Sequence, residues 1–211
     1  MKQHVLVVLA LSPLLLLAPI TRAWAQGAQL PPGVFMGEPD YRQAPAGTYT
    51  LDKDHASLIA RVSHLRYSWS VFRFNRVGGT LAWDPANVAG SSVTAQVETA
   101  SIATNVKGFA EQLSGDDFLK AAKFPEATFV STAFRQTGAQ SGKVDGNLTL
   151  MGKTRPVTFD VELVGAGKGF ADRPRIGMSG RTRINPVDFG LAPIFGDAIE
   201  IVVDAEFERN P

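Results

Sequence analysis

Four residues near the start of the patterned part of the chain are the first candidates for chemistry. In the stretch DKDHAS, Asp52 and Asp54 lie beside His55, and His64 follows further along. An imidazole titrates near neutrality, and a neighbouring carboxylate orients it, so such a cluster is the raw material of general acid–base catalysis. An enzyme using His55 and His64 is therefore one reading. The same residues also suit other roles. DKDHAS fits a solvated turn at the start of a strand. His64 shares the phase of Leu58, Ala60 and Val62, which suits either a partnered core histidine or a polar group that meets the head of a ligand.

Nothing else in the chain supports catalysis. There is no Gly-x-Ser-x-Gly elbow, no phosphate-binding loop and no His-x-x-x-His pair. Two histidines this far apart are poor evidence for a metal site, and the chain has no cysteine, which excludes thiol chemistry and disulfides. The expectation is a protein without a cofactor or metal and without catalytic residues. What remains is an aromatic set, Phe72, Phe74, Phe118, Phe124, Phe129, Phe134 and Phe159, which either fills a core or lines a pocket for a long apolar molecule.

These residues sit on segments of period two. Leu58, Ala60 and Val62 alternate with Ser57, Arg61 and Ser63, and Phe72 and Phe74 flank Arg73. Leu81 and Trp83 share a face after the RVGG turn. Val93, Ala95 and Val97 continue the pattern, as do Val144, Leu148 and Leu150, and then Val157, Phe159, Val161 and Leu163. Ile199, Ile201, Val203, Ala205 and Phe207 form the cleanest face of all. Such alternation between Gly-rich turns predicts an all-β, antiparallel sheet with one apolar face. That face is buried by a second sheet or by closure into a barrel, and periodicity alone does not choose between them. The exception is 101–122, where the spacing of Val106, Phe109, Ala110 and Leu113 predicts a short helix. Ser114 is placed to cap a second one carrying Phe118, Leu119 and Ala122.

The N-terminus reads differently. Lys2 and His4 precede an apolar run from Val5 to Ile20, and Ala23-Trp24-Ala25 has the small-x-small form of a processing site. Residues 1–25 are expected to be a cleaved signal peptide, 26–46 a flexible Gly/Pro-rich lead-in, and 47–211 one domain. Losing Lys2 and Arg22 takes the formal net charge from +1 to −1. Near-neutrality gives no reason to expect nucleic acid or an anionic membrane surface as partner. A soluble periplasmic or secreted protein is the expectation.

At this point the residues carry a resemblance. YTLDKDHASLIARVSHL (49–65), SIATN (101–105), LSGDDFLKAAKFPEATFVST (113–132), VDGNLTLMGKTRPVTFDVEL (144–163), DFGL (188–191) and GDAIEIVVDAEF (196–207) occur in the order of the YceI family, periplasmic polyisoprenoid-binding proteins of lipocalin-like fold. The chain departs from the family pattern at Ala110-Glu111-Gln112 and at Asn185-Pro186-Val187, where charges are often found. The resemblance implies an antiparallel lipocalin-like barrel of about eight strands. It implies an isoprenoid or similar long amphiphile inside, with transport, storage, isoprenoid-quinone handling or stress protection as the role. It also admits a homodimer and transient membrane contact, which these residues do not establish. An interaction module with a filled barrel is the remaining rival. The candidate ligand contacts are His64, Val62, Trp69, Phe72, Phe74, Leu81, Phe118, Phe124, Phe129, Phe159 and Phe189.

Overall fold

Eleven strands and one α-helix occur among the residues described by the computed structural model, 31–192 and 198–211. The expected signal peptide lies outside them. The strands are β1 (Gly47–Leu51), β2 (Ser57–His64), β3 (Ser68–Phe74), β4 (Val77–Trp83), β5 (Ser92–Glu98), β6 (Ile102–Ala103), β7 (Glu126–Gln136), β8 (Ser141–Leu150), β9 (Lys153–Lys168), β10 (Pro174–Ile184) and β11 (Ile199–Arg209). Every pairing is antiparallel.

Following the pairings in space, β1-β4-β5-β7-β8-β9-β10-β11 returns to β1, a closed barrel of eight strands. Closure hides the apolar face of an amphipathic sheet and removes its edges. The seam has two parts. The C-terminal end of β11 pairs with β1, Phe207 opposite Leu51, while its N-terminal half pairs with β2, Glu200 opposite Arg61. A single 3-10 turn, Lys53–His55, separates β1 from β2, and the Asp52 side chain accepts from the Asp54 amide to start it. The β2–β3 hairpin then continues beside the barrel to β6.

Two β-bulges alter the simple period. One lies between Ser131 and Ala133 on β7, so that Phe129 and Phe134, five positions apart, are both buried. Without the extra residue they would point to opposite faces.

Two expectations need correction. The lead-in was expected to be flexible, yet from Glu38 onward it is packed: Glu38 bridges Ala166, Tyr41 meets Trp83 edge-to-face, and Ala44 is fully buried. Gly/Pro content disfavours regular structure, but it does not prevent docking onto a preformed wall. The second helix after Ser114 does not form. Ser114 ends the one helix, α1 (Phe109–Ser114), and its hydroxyl donates back to the Ala110 carbonyl instead of capping forward. Residues 115–123 are turns, with Lys120 in the left-handed region, and Leu119 N–H closes on Leu113 O. Val106 lies outside α1 and is exposed.

Candidate ligand-binding cavity

Closure leaves the barrel hollow along most of one strand. The whole inward face of β11, Ile199, Ile201, Val203, Ala205 and Phe207, lines a cavity of about 240 Å³. Leu58, Ala60 and Val62 of β2 and Val93, Ala95 and Val97 of β5 add further walls. From Ile199 to Phe207 the strand runs roughly 27 Å at ~3.3 Å per residue, so the space is long and not round. Ser57, Gln96, Thr99 and Thr128 are the polar residues in the lining, and no charged residue is among them; the Ser57 hydroxyl turns outward to Asp204. Thr99 is satisfied, since its hydroxyl donates to Phe124 O at 2.7 Å.

One end of the barrel is closed by packed side chains, with a smaller cavity of about 80 Å³ left beside Tyr41, Trp83 and Ile176. Tyr49, Leu81 and Ile176 are fully buried there, the Tyr49 hydroxyl donates to Pro45 O at 2.6 Å, and Trp83 Nε1–H donates to Ala44 O at 3.2 Å. The packed lead-in is what completes this plug. At the other end Leu113, Phe118, Leu119 and Leu191 reach the cavity from α1 and the loops.

Six of the candidate contacts meet in the cavity wall: Val62, Phe72, Phe74, Phe118, Phe129 and Phe159. Phe129 and Phe159 touch edge-to-face at 5.2 Å, and Phe72 packs on Phe109 at 6.0 Å. The other five are elsewhere. Leu81 belongs to the plug. Phe189 is buried in the 3-10 turn Pro186–Phe189, outside the cavity, where Leu191 lines instead. Phe124 lies over the β8–β9 turn, against Gly152. Trp69 has the opposite parity to Phe72 and faces outward, 5.0 Å from the Arg61 guanidinium. His64 has inward parity but is exposed, because β11 begins at Ile199 and offers no wall beyond Val62.

The two histidines do not form a shared site. His55 is exposed at the β1–β2 turn and His64 is exposed at the far end of β2, roughly 25 Å away along an extended strand. His55 Nδ1 is 2.9 Å from Asp52 Oδ2, and this hydrogen bond raises the imidazole pKa above its ordinary value. Burial by itself would raise the Asp52 carboxyl. Hydrogen bonds from His55 and from Arg175 Nη1, at 2.7 Å, outweigh it and bring it down to about 2. Arg175 also holds Glu206 and Glu208 of β11. The cluster is a clamp on the outer face of the seam, and none of its side chains is among the cavity lining. Among the described residues no group of three or more metal-ligating side chains comes together.

Phe134, Phe207, Leu58 and Ala60 of β2, and the β5 and β11 aliphatics also line the cavity and are not among the candidate contacts. For the aliphatics the signal was the alternation itself. Phe134 needed the bulge.

Comparison with known proteins agrees with this architecture. A UPF0312 protein of Vibrio cholerae is 39% identical over 150 residues, covering 70% of this chain and 79% of the relative. Among solved structures, a Campylobacter jejuni YceI protein superposes with a TM-score of 0.64 at 26% identity, over 71% of this chain and 91% of the other. A domain from Saccharophagus degradans described as polyisoprenoid binding shares the fold, with a TM-score of 0.57 at 16% identity over 77% and 98% of the two chains. The YceI-like domain profile matches residues 49–207, and with three quarters of its length inside that match the chain belongs to the YceI-like family.

Proposed function

We propose that the protein is exported to the periplasm and holds a long isoprenoid-type chain, or another extended amphiphile, inside the barrel for transport or storage. The observation that carries this is the shape and chemistry of the cavity: long, apolar and without a charged wall residue. The polyisoprenoid-binding description of the Saccharophagus degradans domain supports the same class of ligand. No side chain on the wall is suited to proton transfer, which favours holding a molecule over transforming it.

Volume bounds the ligand. A dry cavity of about 150 Å³ holds one benzene, about 25 Å³ per carbon, so this cavity of about 240 Å³ takes roughly ten methylene-sized groups. A chain of that length fits whole, and a longer one extends past the α1 end, since the opposite end is plugged. At about 0.8 kcal/mol per methylene, ten groups gain roughly 8 kcal/mol relative to water. The true starting point is a bilayer, already apolar, and ordering the chain costs entropy. Exchange between bilayer and barrel is then nearly balanced, as a carrier requires.

Native mass spectrometry of the protein taken from its own periplasm tests the reading. The expected result is a mass excess released by organic solvent and identifiable as an apolar chain. An apo mass, together with failure to retain an added polyprenol of about twenty carbons, overturns it.

A further inference from the structure

The near-neutral net charge conceals a one-sided distribution. From His55 to Trp83 the sequence has four arginines and no aspartate or glutamate. Strand register then gathers cations on the outer surface. One row across the sheet reads Arg183, Glu200, Arg61, Val71, and the next reads Arg181, Val202, Ile59, Arg73. Glu200 is bonded to Arg61 at 2.6 Å and lies 3.9 Å from Arg183, and Asp160, opposite Arg181 on β9, is paired with Lys143. Arg73 and Arg181 have no acidic partner among the described residues.

The β2–β3 hairpin carries the apolar half of the same surface. Its turn, His64–Tyr67, is closed by Tyr67 N–H on His64 O at 2.9 Å, with φ of 53° at Leu65 and 64° at Arg66. Two successive left-handed residues are the province of Asn and Gly, because a Cβ is unfavourable there. This chain places a leucine and an arginine instead, and Leu65 is 75% and Tyr67 88% exposed. Trp69, 45% exposed, lies against Arg61 just behind them. Folding gains nothing from large apolar side chains in water at a strained turn. Tyr and Trp flanked by arginine are, however, the residues that settle at the boundary between acyl chains and head groups.

We propose that this hairpin tip and the arginine rows beside it dock the protein on an anionic lipid bilayer. Leu65 and Tyr67 enter the interface, Trp69 follows, and Arg61, Arg66, Arg73, Arg181 and Arg183 meet lipid phosphates. Each cation near an anionic surface strengthens partitioning roughly fivefold; Glu200 offsets part of the Arg61 and Arg183 charge, so Arg66, Arg73 and Arg181, without an ion pair among the described residues, carry most of the anchor. The inner face of the same hairpin, through Val62 and Phe72, is cavity wall, which sets the bilayer against the end of the barrel not plugged by Tyr49 and Leu81. The surface does not depend on the cavity holding lipid.

The test uses the mature full chain with two kinds of vesicle, phosphatidylcholine alone and phosphatidylcholine mixed with phosphatidylglycerol. Co-sedimentation is expected with the mixed vesicles only, weakening as salt rises. Of the two tryptophans after Ala25, Trp83 is already buried, so a blue shift in emission on binding reports Trp69. Arg66→Glu with Arg181→Glu, both at exposed positions, is expected to reduce binding more than tenfold. Leu65→Ser is expected to abolish the blue shift, with unchanged thermal unfolding in each case. Absence of binding to the mixed vesicles at low salt overturns the proposal. So does binding that these variants leave intact, or a solution dimer that Leu65→Ser dissociates. Vesicle binding by a protein whose barrel is empty leaves this proposal standing and removes the carrier reading instead.

Discussion

Phe129 on β7 and Phe159 on β9 touch edge-to-face, at 5.2 Å and 76°, although the whole of β8 lies between their strands. The residue that permits this is Gly146 on β8. A methyl group there would overlap the Phe129 ring and approach Val130 O to 2.6 Å. Gly146→Ala is therefore expected to push Phe129 into the cavity, lowering stability by about 1–3 kcal/mol and excluding a bound chain. Thermal unfolding and displacement of a fluorescent fatty-chain probe measure the two effects. Unchanged probe affinity would show that the ring pair does not shape the cavity.

Wall aromatics and plug residues are expected to respond in opposite ways. Leu81 is packed on all sides, and Leu81→Ala costs about 2–5 kcal/mol, a fall of roughly 10 °C in Tm. Phe72 and Phe129 face empty space, so Phe72→Ala and Phe129→Ala cost the ligand-free protein less and weaken binding of a polyprenol more. Phe207 lines the cavity too and belongs with the wall group, not with ordinary core. Equal Tm losses across Leu81→Ala, Phe72→Ala, Phe129→Ala and Phe207→Ala with unaltered binding would mean that these rings only fill space.

The Asp52–Arg175–His55 clamp predicts a pH profile. The Asp52 carboxyl is lowered to about 2, so its contribution is complete above its unfolded value near 4 and is lost as pH falls through about 2. The His55 imidazole is raised, so its smaller, solvent-exposed contribution is complete below its unfolded value near 6.5 and fades as pH rises through the folded value. Stability from this cluster is thus greatest between about pH 4 and 6.5. Arg175→Met leaves Asp52, Glu206 and Glu208 facing one another and is expected to cost about 2 kcal/mol near neutral pH, between the values of exposed and buried pairs. Denaturant unfolding from pH 2 to 8 would contradict this if the wild-type and variant curves ran parallel.

The lead-in is expected to be structural. Tyr49→Phe deprives the Pro45 carbonyl of its donor and costs about 1–3 kcal/mol, while Tyr67→Phe, on an exposed ring, changes nothing. Calorimetry on the two variants separates them, and equal melting points would show that the plug does not depend on this bond.

Export is expected to expose Gln26 as the mature N-terminus, after Ala23-Trp24-Ala25. Intact-mass measurement on the periplasmic fraction checks it, and a chain still beginning at Met1 would remove the export argument.

The sequence by itself determined the strands and the face each one buries, because period two is a local property of a pleated chain. Ile199 to Phe207 could be read as one apolar face without knowing what it faced, and so could Leu58 to Val62. The resemblance supplied the barrel that periodicity left undecided. Only the tertiary structure decided which apolar residues surround space and which touch one another. Leu81 and Phe72 look alike along the chain, but Leu81 is fully buried at the plugged end while Phe72 opens on the cavity. The bulge between Ser131 and Ala133 brings Phe134 round beside Phe129. His64 kept its inward parity and still met solvent, because where a neighbouring strand begins depends on residues far away in the chain. Strand alternation is written in adjacent side chains; a cavity exists only where distant strands close around it and fail to fill it.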